Sequence, residues 1–179
     1  MLKRIALALG AVVIVFLGVV AMQPANFRVE RSVVIAAPPA DVFAQVNDFH
    51  NWVNWSPWEK LDPSMKKTFS GTAAGVGAIY EWTGDDKVGS GRMTLTDSKP
   101  TDLVRIKLEF IKPFEATNTT EFAFTPEGGG TKVTWSMSGD NNFIAKAMCL
   151  FVSMDKMVGG DFEKGLAQMK TAAEAAAKK

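Results

Sequence analysis

Few side chains in this 179-residue sequence could form a conventional catalytic or metal site. His50 is the only histidine, so a histidine-based metal site or a Ser-His-Asp arrangement would have to use it. Its neighbours Asp48 and Asn51 are typical of a helix end, which favours a structural role. Cys149 is the only cysteine and lies in an apolar stretch. We therefore expect a buried, inert thiol, since a nucleophilic thiol needs cationic surroundings, and a lone cysteine excludes an internal disulfide.

Three polar side chains are candidates for orienting a ligand: Glu59 and Tyr80 first, and then Arg92. A buried carboxylate or hydroxyl needs a hydrogen-bonding partner, and a ligand can supply one. An ordinary structural role is the alternative for each of the three. The glycine triplet at 128–130 lacks the helix and lysine that follow a phosphate-binding loop. We predict no catalytic residue, no metal site and no cofactor, and lean towards a protein that is not an enzyme.

Residues 1–25 are predicted to anchor the chain in a membrane. Lys3 and Arg4 precede an uncharged run from Ile5 to Met22, which as a helix would extend roughly 27 Å, close to the thickness of a bilayer core. A cleaved signal peptide is the alternative, although residues 21–25 make a poor cleavage site. Lys3 and Arg4 favour a cytoplasmic N-terminus and an extracytoplasmic setting for the rest of the chain, the periplasm in a Gram-negative bacterium, whereas Arg28 and Arg31 weigh against it.

Residues 26–179 are predicted to form one α+β domain. Apolar and polar residues alternate over 27–36, and Pro38-Pro39 then leads into two short helices. Six more strands follow over 66–70, 78–83, 89–97, 103–111, 116–125 and 131–138, with turn residues between them. The spacing then predicts one long amphipathic helix after Asn142, kinked or interrupted at Gly159-Gly160. The net charge of +1 gives no case for a nucleic-acid partner.

A curved antiparallel sheet of about seven strands wrapped around this helix would leave a lined cavity between them. Strand alternation predicts which side chains face it: Val104, Ile106, Leu108 and Phe110 share one face, and their exposure would be unfavourable. The predicted lining consists of large apolar residues, and an ordinary filled core explains each one almost as well. They are Trp55, Trp58, Tyr80, Trp82, Met93, Leu108, Phe110, Phe122, Trp135, Met148, Phe151 and Met154.

Several strings resemble the SRPBCC superfamily, the START-like, polyketide cyclase/dehydrase-type group, and its bacterial branch with an N-terminal membrane helix. They are Trp55-Ser56-Pro57-Trp58, Lys87-Val88-Gly89-Ser90-Gly91, the stretch 108–114, the stretch 132–139 and Met154-Asp155-Lys156-Met157-Val158-Gly159. The resemblance covers about residues 27–175. It implies a helix-grip fold with a deep hydrophobic pocket, in members that bind lipids, sterols or polyketides and are in some cases cyclases or hydrolases.

Three functions follow from these patterns. The first is a membrane-tethered module that binds a lipophilic small molecule. The second is a cyclase or hydratase that acts on a hydrophobic substrate, with Tyr80 or Glu59 as its acid. The third is an envelope interaction protein whose pocket is filled by its own side chains. No pattern in the sequence indicates the oligomeric state.

Overall fold

The computed structural model describes residues 1–178, with Leu2 described by its backbone alone. Helix α1, Leu2–Ala21, is followed by strand β1, Asn26–Ile35, and helix α2, Pro39–Asn47. Two 3₁₀ helices, Phe49–Asn54 and Pro57–Lys60, lead into the remaining strands. These are β2 Lys66–Gly71, β3 Ala78–Thr83, β4 Ser90–Lys99, β5 Leu103–Lys112, β6 Ala116–Glu127 and β7 Gly130–Asp140. Helices α3, Phe143–Cys149, and α4, Met154–Ala176, complete the fold.

Helix α1 is long and apolar enough to cross a membrane. The stretch Lys3–Ala21 has a mean hydropathy of 2.6 and is almost entirely exposed. A signal sequence near an N-terminus has the same length and composition. Helix α1 contacts α3, and Val20 near the end of α1 is fully buried.

The seven strands form one antiparallel sheet in the order β1-β7-β6-β5-β4-β3-β2. This confirms the predicted α+β helix-grip fold, and the predicted strands lie within a few residues of the observed ones. Since β2 pairs only with β3, its second side is an edge of the sheet, and all six of its residues are exposed.

One end of the sheet, which we call the anchor end, lies next to α1. At this end Asn26 of β1 pairs with Asp140 of β7, and Phe110 of β5 pairs with Ala116 of β6. The turns between β3 and β4 and between β5 and β6 therefore lie at the anchor end. The turns between β2 and β3, β4 and β5, and β6 and β7 lie at the opposite end.

Helix α4 packs across the inner face of the sheet and runs away from the anchor end. Arg31 of β1 donates hydrogen bonds to Asp155 at the start of α4 and to Glu163 two turns later. Near the end of α4, Lys170 donates to the carbonyl of Val34. The guanidinium of Arg31 and the two carboxylates thus fix the helix to the first strand at the inner face.

The prediction of one long helix with a break at Gly159-Gly160 is wrong. The break lies at 150–153, because two separate caps start two helices: the Asn142 side chain accepts from the amide of Ala145 at 2.8 Å, and Ser153 accepts from that of Lys156 at 3.3 Å. Helix α4 continues through the glycines. At Gly159 a Cβ would collide with Nη2 of Arg31, so this glycine leaves room for the guanidinium against the helix.

Candidate functional site

The centre of the space between sheet and α4, where we expected a deep cavity, is filled by aromatic rings. Trp135 of β7 stacks on Phe162 of α4 with ring centroids 4.0 Å apart. Trp55 is fully buried beside Phe122 and Trp135, and its indole donates to the carbonyl of Gln45 at 2.9 Å. Three of the predicted lining residues therefore lie in the core of the protein: Trp55, Phe122 and Trp135.

Two cavities in the described part of the chain lie away from this interface. The first has a volume of about 150 Å³ and lies near the end opposite the anchor, between the first 3₁₀ helix and strands β2 and β3. The second, of about 520 Å³, is an open groove over the anchor-end residues of β1, β6 and β7. Neither is lined by α4, so neither is the predicted pocket.

On strands β3 and β5 the inner face becomes more exposed toward the anchor end. Along β5, Val104 and Ile106 are fully buried, whereas Leu108 and Phe110 on the same face are half-buried. Strand β3 shows the same change between Tyr80, which is buried, and Trp82. The helix side contributes half-buried residues at α4 and at the second 3₁₀ helix. We call this set the inner rim: Trp58, Trp82, Leu108, Phe110 and Met154.

Aromatic packing holds the inner rim in place. Trp82 stacks beside Tyr80 with ring centroids 6.1 Å apart and meets the edge of Phe110 at 6.0 Å. The indole of Trp82 also donates to the carbonyl of Val88 at 3.1 Å. At Gly91, a side chain would collide with the Trp82 ring, so the absence of a Cβ there leaves room for the indole.

A buried polar cluster lies beside the rim. The Tyr80 hydroxyl donates to Glu59 Oε1 at 3.0 Å, and Lys67 Nζ donates to the other carboxylate oxygen, Oε2. The side chain of Glu59 is only 6% exposed, so the carboxylate is a buried charge that depends on these two donors. Burial, and then the negative charge of Glu59, raise the pKa of Tyr80 well above its ordinary value. The phenol therefore stays protonated and acts as a hydrogen-bond donor.

The structure thus brings together two of the three predicted polar residues, and it adds one that sequence reasoning missed. Lys67 pairs with Trp82 in the sheet and shares its face with Phe69, which pairs with Tyr80. The sequence did contain a signal for this lysine. Lys67 and Phe69 are two residues apart on a strand and so share a face, and a phenylalanine that faces inward places the lysine on the inner face as well.

Arg92, the third predicted polar contact, points the other way. Met93 pairs with Tyr80 and faces inward, so its neighbour Arg92 lies on the outer face. There its Nε atom is 3.8 Å from Oε1 of Glu81. Arg92, predicted as a possible polar contact to a ligand, therefore does not share a face of the sheet with Tyr80.

Two predicted lining residues also lie outside the interior. Met148 is 45% exposed and Phe151 is 81% exposed, because the break before α4 turns this segment away from the sheet. Cys149 in the same segment is partly exposed rather than buried. Met93, by contrast, is buried on the inner face.

His50 has a local structural role. Its ring Nδ1 lies 2.7 Å from Asp48 Oδ1, and the imidazole stacks on Phe69. Among the residues that the structure describes, no group of three or more histidine, cysteine, aspartate or glutamate side chains could hold a metal ion.

Comparison with known proteins supports the interpretation of the fold. Residues 26–174 match the model of a family described as polyketide cyclase / dehydrase and lipid transport. The chain belongs to this family. The match confirms the resemblance to the SRPBCC superfamily, and the family's description covers both enzymes and lipid carriers. No curated protein matches the chain significantly in sequence.

Solved structures share the fold of this polyketide cyclase/dehydrase family member at low sequence identity. A protein of Mycobacterium smegmatis, Ms6760, is 20% identical, with 83% of this chain and 92% of that chain covered and a TM-score of 0.57. The di-domain ARO/CYC StfQ from the steffimycin biosynthetic pathway is 12% identical over 86% of this chain and 52% of its own, with a TM-score of 0.61. The di-domain ARO/CYC BexL is 17% identical over 90% of this chain and 53% of its own, with a TM-score of 0.61.

Proposed function

We propose that this protein is a membrane-tethered module that binds a lipophilic small molecule at the inner rim. The observation that carries the proposal is the difference in exposure along the inner face. Its centre is fully buried, whereas large apolar side chains at the anchor end of β3 and β5 are only partly buried. Covering apolar surface is favourable by about 25 cal/mol per Å², so a ligand laid against these side chains would be stabilised by their burial.

The filled centre limits how deeply such a ligand can enter. The stack of Trp135 on Phe162 closes the interior beyond the rim, so the apolar part of the ligand would contact Trp82 and Phe110. The side chain of Lys67, which pairs with Trp82 in the sheet and donates to Glu59, is 31% exposed. An amphiphile with an apolar body and an anionic or hydrogen-bond-accepting head fits this combination of aromatic rings and a cation.

Helix α1 would serve as the tether, with residues 1–25 as anchor and the body, residues 26–179, on the extracytoplasmic side. Its apolar composition and its length of about 30 Å support this role. Lys3 and Arg4 support the orientation. Tethering would keep the inner rim close to a source of apolar ligand and raise the effective concentration of that ligand.

Native mass spectrometry of the full chain, released from detergent micelles, tests the binding proposal. We expect a stoichiometric apolar adduct that survives purification and is lost when the protein is denatured. Trp82→Ala should reduce adduct occupancy, and Val53→Ala should not, since Val53 is exposed outside the rim. A bare mass in the wild type, together with no uptake of cis-parinaric acid, would contradict the proposal and favour an interaction protein with a filled core.

A cyclase or hydratase is the second candidate, and the pairing of Tyr80 with Glu59 at the rim favours it. The phenol has a single O–H, so a carbonyl or hydroxyl oxygen of a confined substrate would take the place of Glu59 as its acceptor and would be polarised by that hydrogen bond. Tyr80→Phe and Glu59→Gln should then each abolish turnover of a polyketide-like substrate that the wild type converts. Full turnover in both variants would rule out this site as the catalytic one.

A further inference from the structure

Exposed aromatic side chains of the body gather at the anchor end. Outside α1, four phenylalanines are exposed in the described chain: Phe69 at 39%, Phe114 at 62%, Phe143 at 53% and Phe151 at 81%. The least exposed of these, Phe69, stacks on His50. The other three lie in the β5–β6 turn and in the α3 segment.

Aliphatic residues extend this cluster. Ile111 is 54% exposed where β5 ends, and Ile144 and Met148 on α3 are 55% and 45% exposed. We call these six residues the anchor-end patch: Ile111, Phe114, Phe143, Ile144, Met148 and Phe151. Single exposed apolar residues are normal on a protein surface, whereas a concentration of large ones at one end indicates a surface that is covered in use.

Strand register places both parts of the patch at the same end of the sheet. Phe110 of β5 pairs with Ala116 of β6 on either side of the turn that carries Phe114. Asn118 of β6 pairs with Gly139 of β7, and α3 starts a few residues after that strand ends. The turn and α3 therefore both border the end at which β1 begins.

Helix α1 ends at this patch. Only four residues, 22–25, separate α1 from β1, so they span at most about 14 Å. The linker is also fixed to the base of α3, because the amide of Asn141 donates to the carbonyl of Ala25 at 2.8 Å and its side chain donates to that of Pro24 at 3.1 Å. Helix α1 also packs against α3, and Val20 near the end of α1 is fully buried.

We propose that the anchor-end patch inserts into the interfacial layer of the lipid bilayer, so that α3 and the β5–β6 turn form a second membrane contact beside α1. This inference rests on the proposed tethering by α1. A bilayer is the occupant that fits, because a membrane helix ending at the patch holds it within a short linker's length of the lipid. Side chains of this kind lie about 5–10 Å deep, at the boundary between headgroups and acyl chains.

This contact would also define the class of ligand. Phe110 of the inner rim immediately precedes Ile111 of the patch, and Met154 of the rim follows Phe151 by three residues. Phe110 and Ile111 point to opposite faces of β5, so the exposed end of the rim and the inserted surface share one end of the body. The ligand is then a lipid or lipophile that resides in the membrane and reaches the rim without crossing water.

Site-directed spin labelling of the full chain in phosphatidylcholine/phosphatidylglycerol vesicles tests the inference. The lone cysteine is first removed as Cys149→Ser, and single cysteines are then introduced as Phe114→Cys and Phe151→Cys. Val76→Cys, 55% exposed in the β2–β3 turn at the opposite end, is the matched control, and Val13→Cys reports on α1. The readout is the ratio of collision with oxygen, which partitions into lipid, to collision with a water-soluble nickel chelate.

We expect this ratio to be several-fold higher at 114 and 151 than at 76, and highest at 13. The patch inference would be overturned if the ratios at positions 114 and 151 equal the ratio at position 76 while position 13 lies deep in the bilayer. That result would leave the proposed tether intact. An aqueous value at 13 would overturn both. Far-ultraviolet circular dichroism of each labelled variant ensures that the comparison concerns folded protein.

Discussion

The indole of Trp135 lies face to face with the ring of Phe162, with centroids 4.0 Å apart and planes only 6° from parallel. One ring belongs to the sheet and the other to α4, so the pair joins the two layers of the fold. Both side chains are almost completely buried, and Trp58 meets each of them edge-on. This contact is the reason that the centre of the helix-grip interior is closed.

Phe162→Ala should therefore lower the free energy of unfolding by about 3–5 kcal/mol, through lost burial and a cavity at the centre of the protein. Urea unfolding followed by tryptophan fluorescence measures the change. Phe151→Ala is the matched control, because Phe151 is 81% exposed, and its effect should stay within about 0.5 kcal/mol. Equal effects of the two substitutions would contradict the packing described here.

Two glycines of α4 should respond to alanine in opposite directions. At Gly165 a Cβ would lie 2.8 Å from Cζ3 of Trp135 and 3.1 Å from the Pro57 ring, so Gly165→Ala should destabilise the protein. At Gly160 no atom lies within 4 Å, and alanine should stabilise the helix by about 0.5–1 kcal/mol. Thermal unfolding of both variants checks the difference in sign. A stabilising Gly165→Ala would mean that α4 lies farther from β7 than the structure shows.

The contact of Arg31 with α4 should make the free energy of unfolding depend on pH in the acidic range. Hydrogen bonding and charge from Arg31 lower the pKa of Asp155 in the folded protein, so the unfolded chain binds more protons as the pH falls below the ordinary carboxyl pKa. The contribution of Asp155 to stability is present at pH values above the ordinary carboxyl pKa. It is lost as the pH falls through the lowered pKa of Asp155 in the folded protein. Urea midpoints measured from pH 7 to pH 3 should decline less in Arg31→Gln than in the wild type.

Arg28→Gln provides the control for this experiment, because Arg28 pairs only with its neighbour Glu30 at an exposed site. Its pH profile should parallel that of the wild type. A profile of Arg31→Gln that also parallels the wild type would show that Asp155 is not coupled to folding through Arg31.

Tyr80 is the only tyrosine, so phenolate absorbance near 295 nm reports on it alone. Burial, followed by the charge of Glu59, raises its pKa above the ordinary value of 10.0. The associated stability is present below pH 10 and is lost as the pH rises further, because the unfolded chain then ionises first. Glu59→Gln should lower the pH at which Tyr80 ionises, and burial should still keep it above the ordinary value.

Glu81→Gln is the matched control for that titration, since Glu81 neighbours Tyr80 in β3 but faces the outer side of the sheet. It should leave the phenolate titration unchanged. An equal shift in both variants would mean that general charge, rather than the contact between Glu59 and Tyr80, sets the ionisation.

Most of the sheet could be predicted from the sequence because alternation along a strand depends on local pattern alone. Strand β5 shows this, since Val104 and Ile106 are buried as expected. The same rule applied to Arg92 would have placed it opposite Met93, on the outer face. Arg92 was assigned to the site because of its charge, without regard to which face of the strand it occupies.

The interior of the site could not be predicted in the same way. Trp55 fills the centre because the segment after the first 3₁₀ helix carries its indole to the carbonyl of Gln45. That is a tertiary contact with no periodic signal. The break before α4 did have a local signal in Ser153, a common helix cap, but the continuing apolar spacing from Phe143 to Val158 outweighed it in our prediction.

Strand β2 has a consequence for how copies of the protein behave toward one another. Its free side carries backbone groups that another strand could pair with, and such edges are a common starting point for aggregation. Lys66 opens the strand and is exposed, and positive charge at an edge disfavours sheet-to-sheet association between chains. Tethering by α1 would concentrate copies of the protein in the plane of the membrane. Repulsion between the positively charged edges would matter most under that condition.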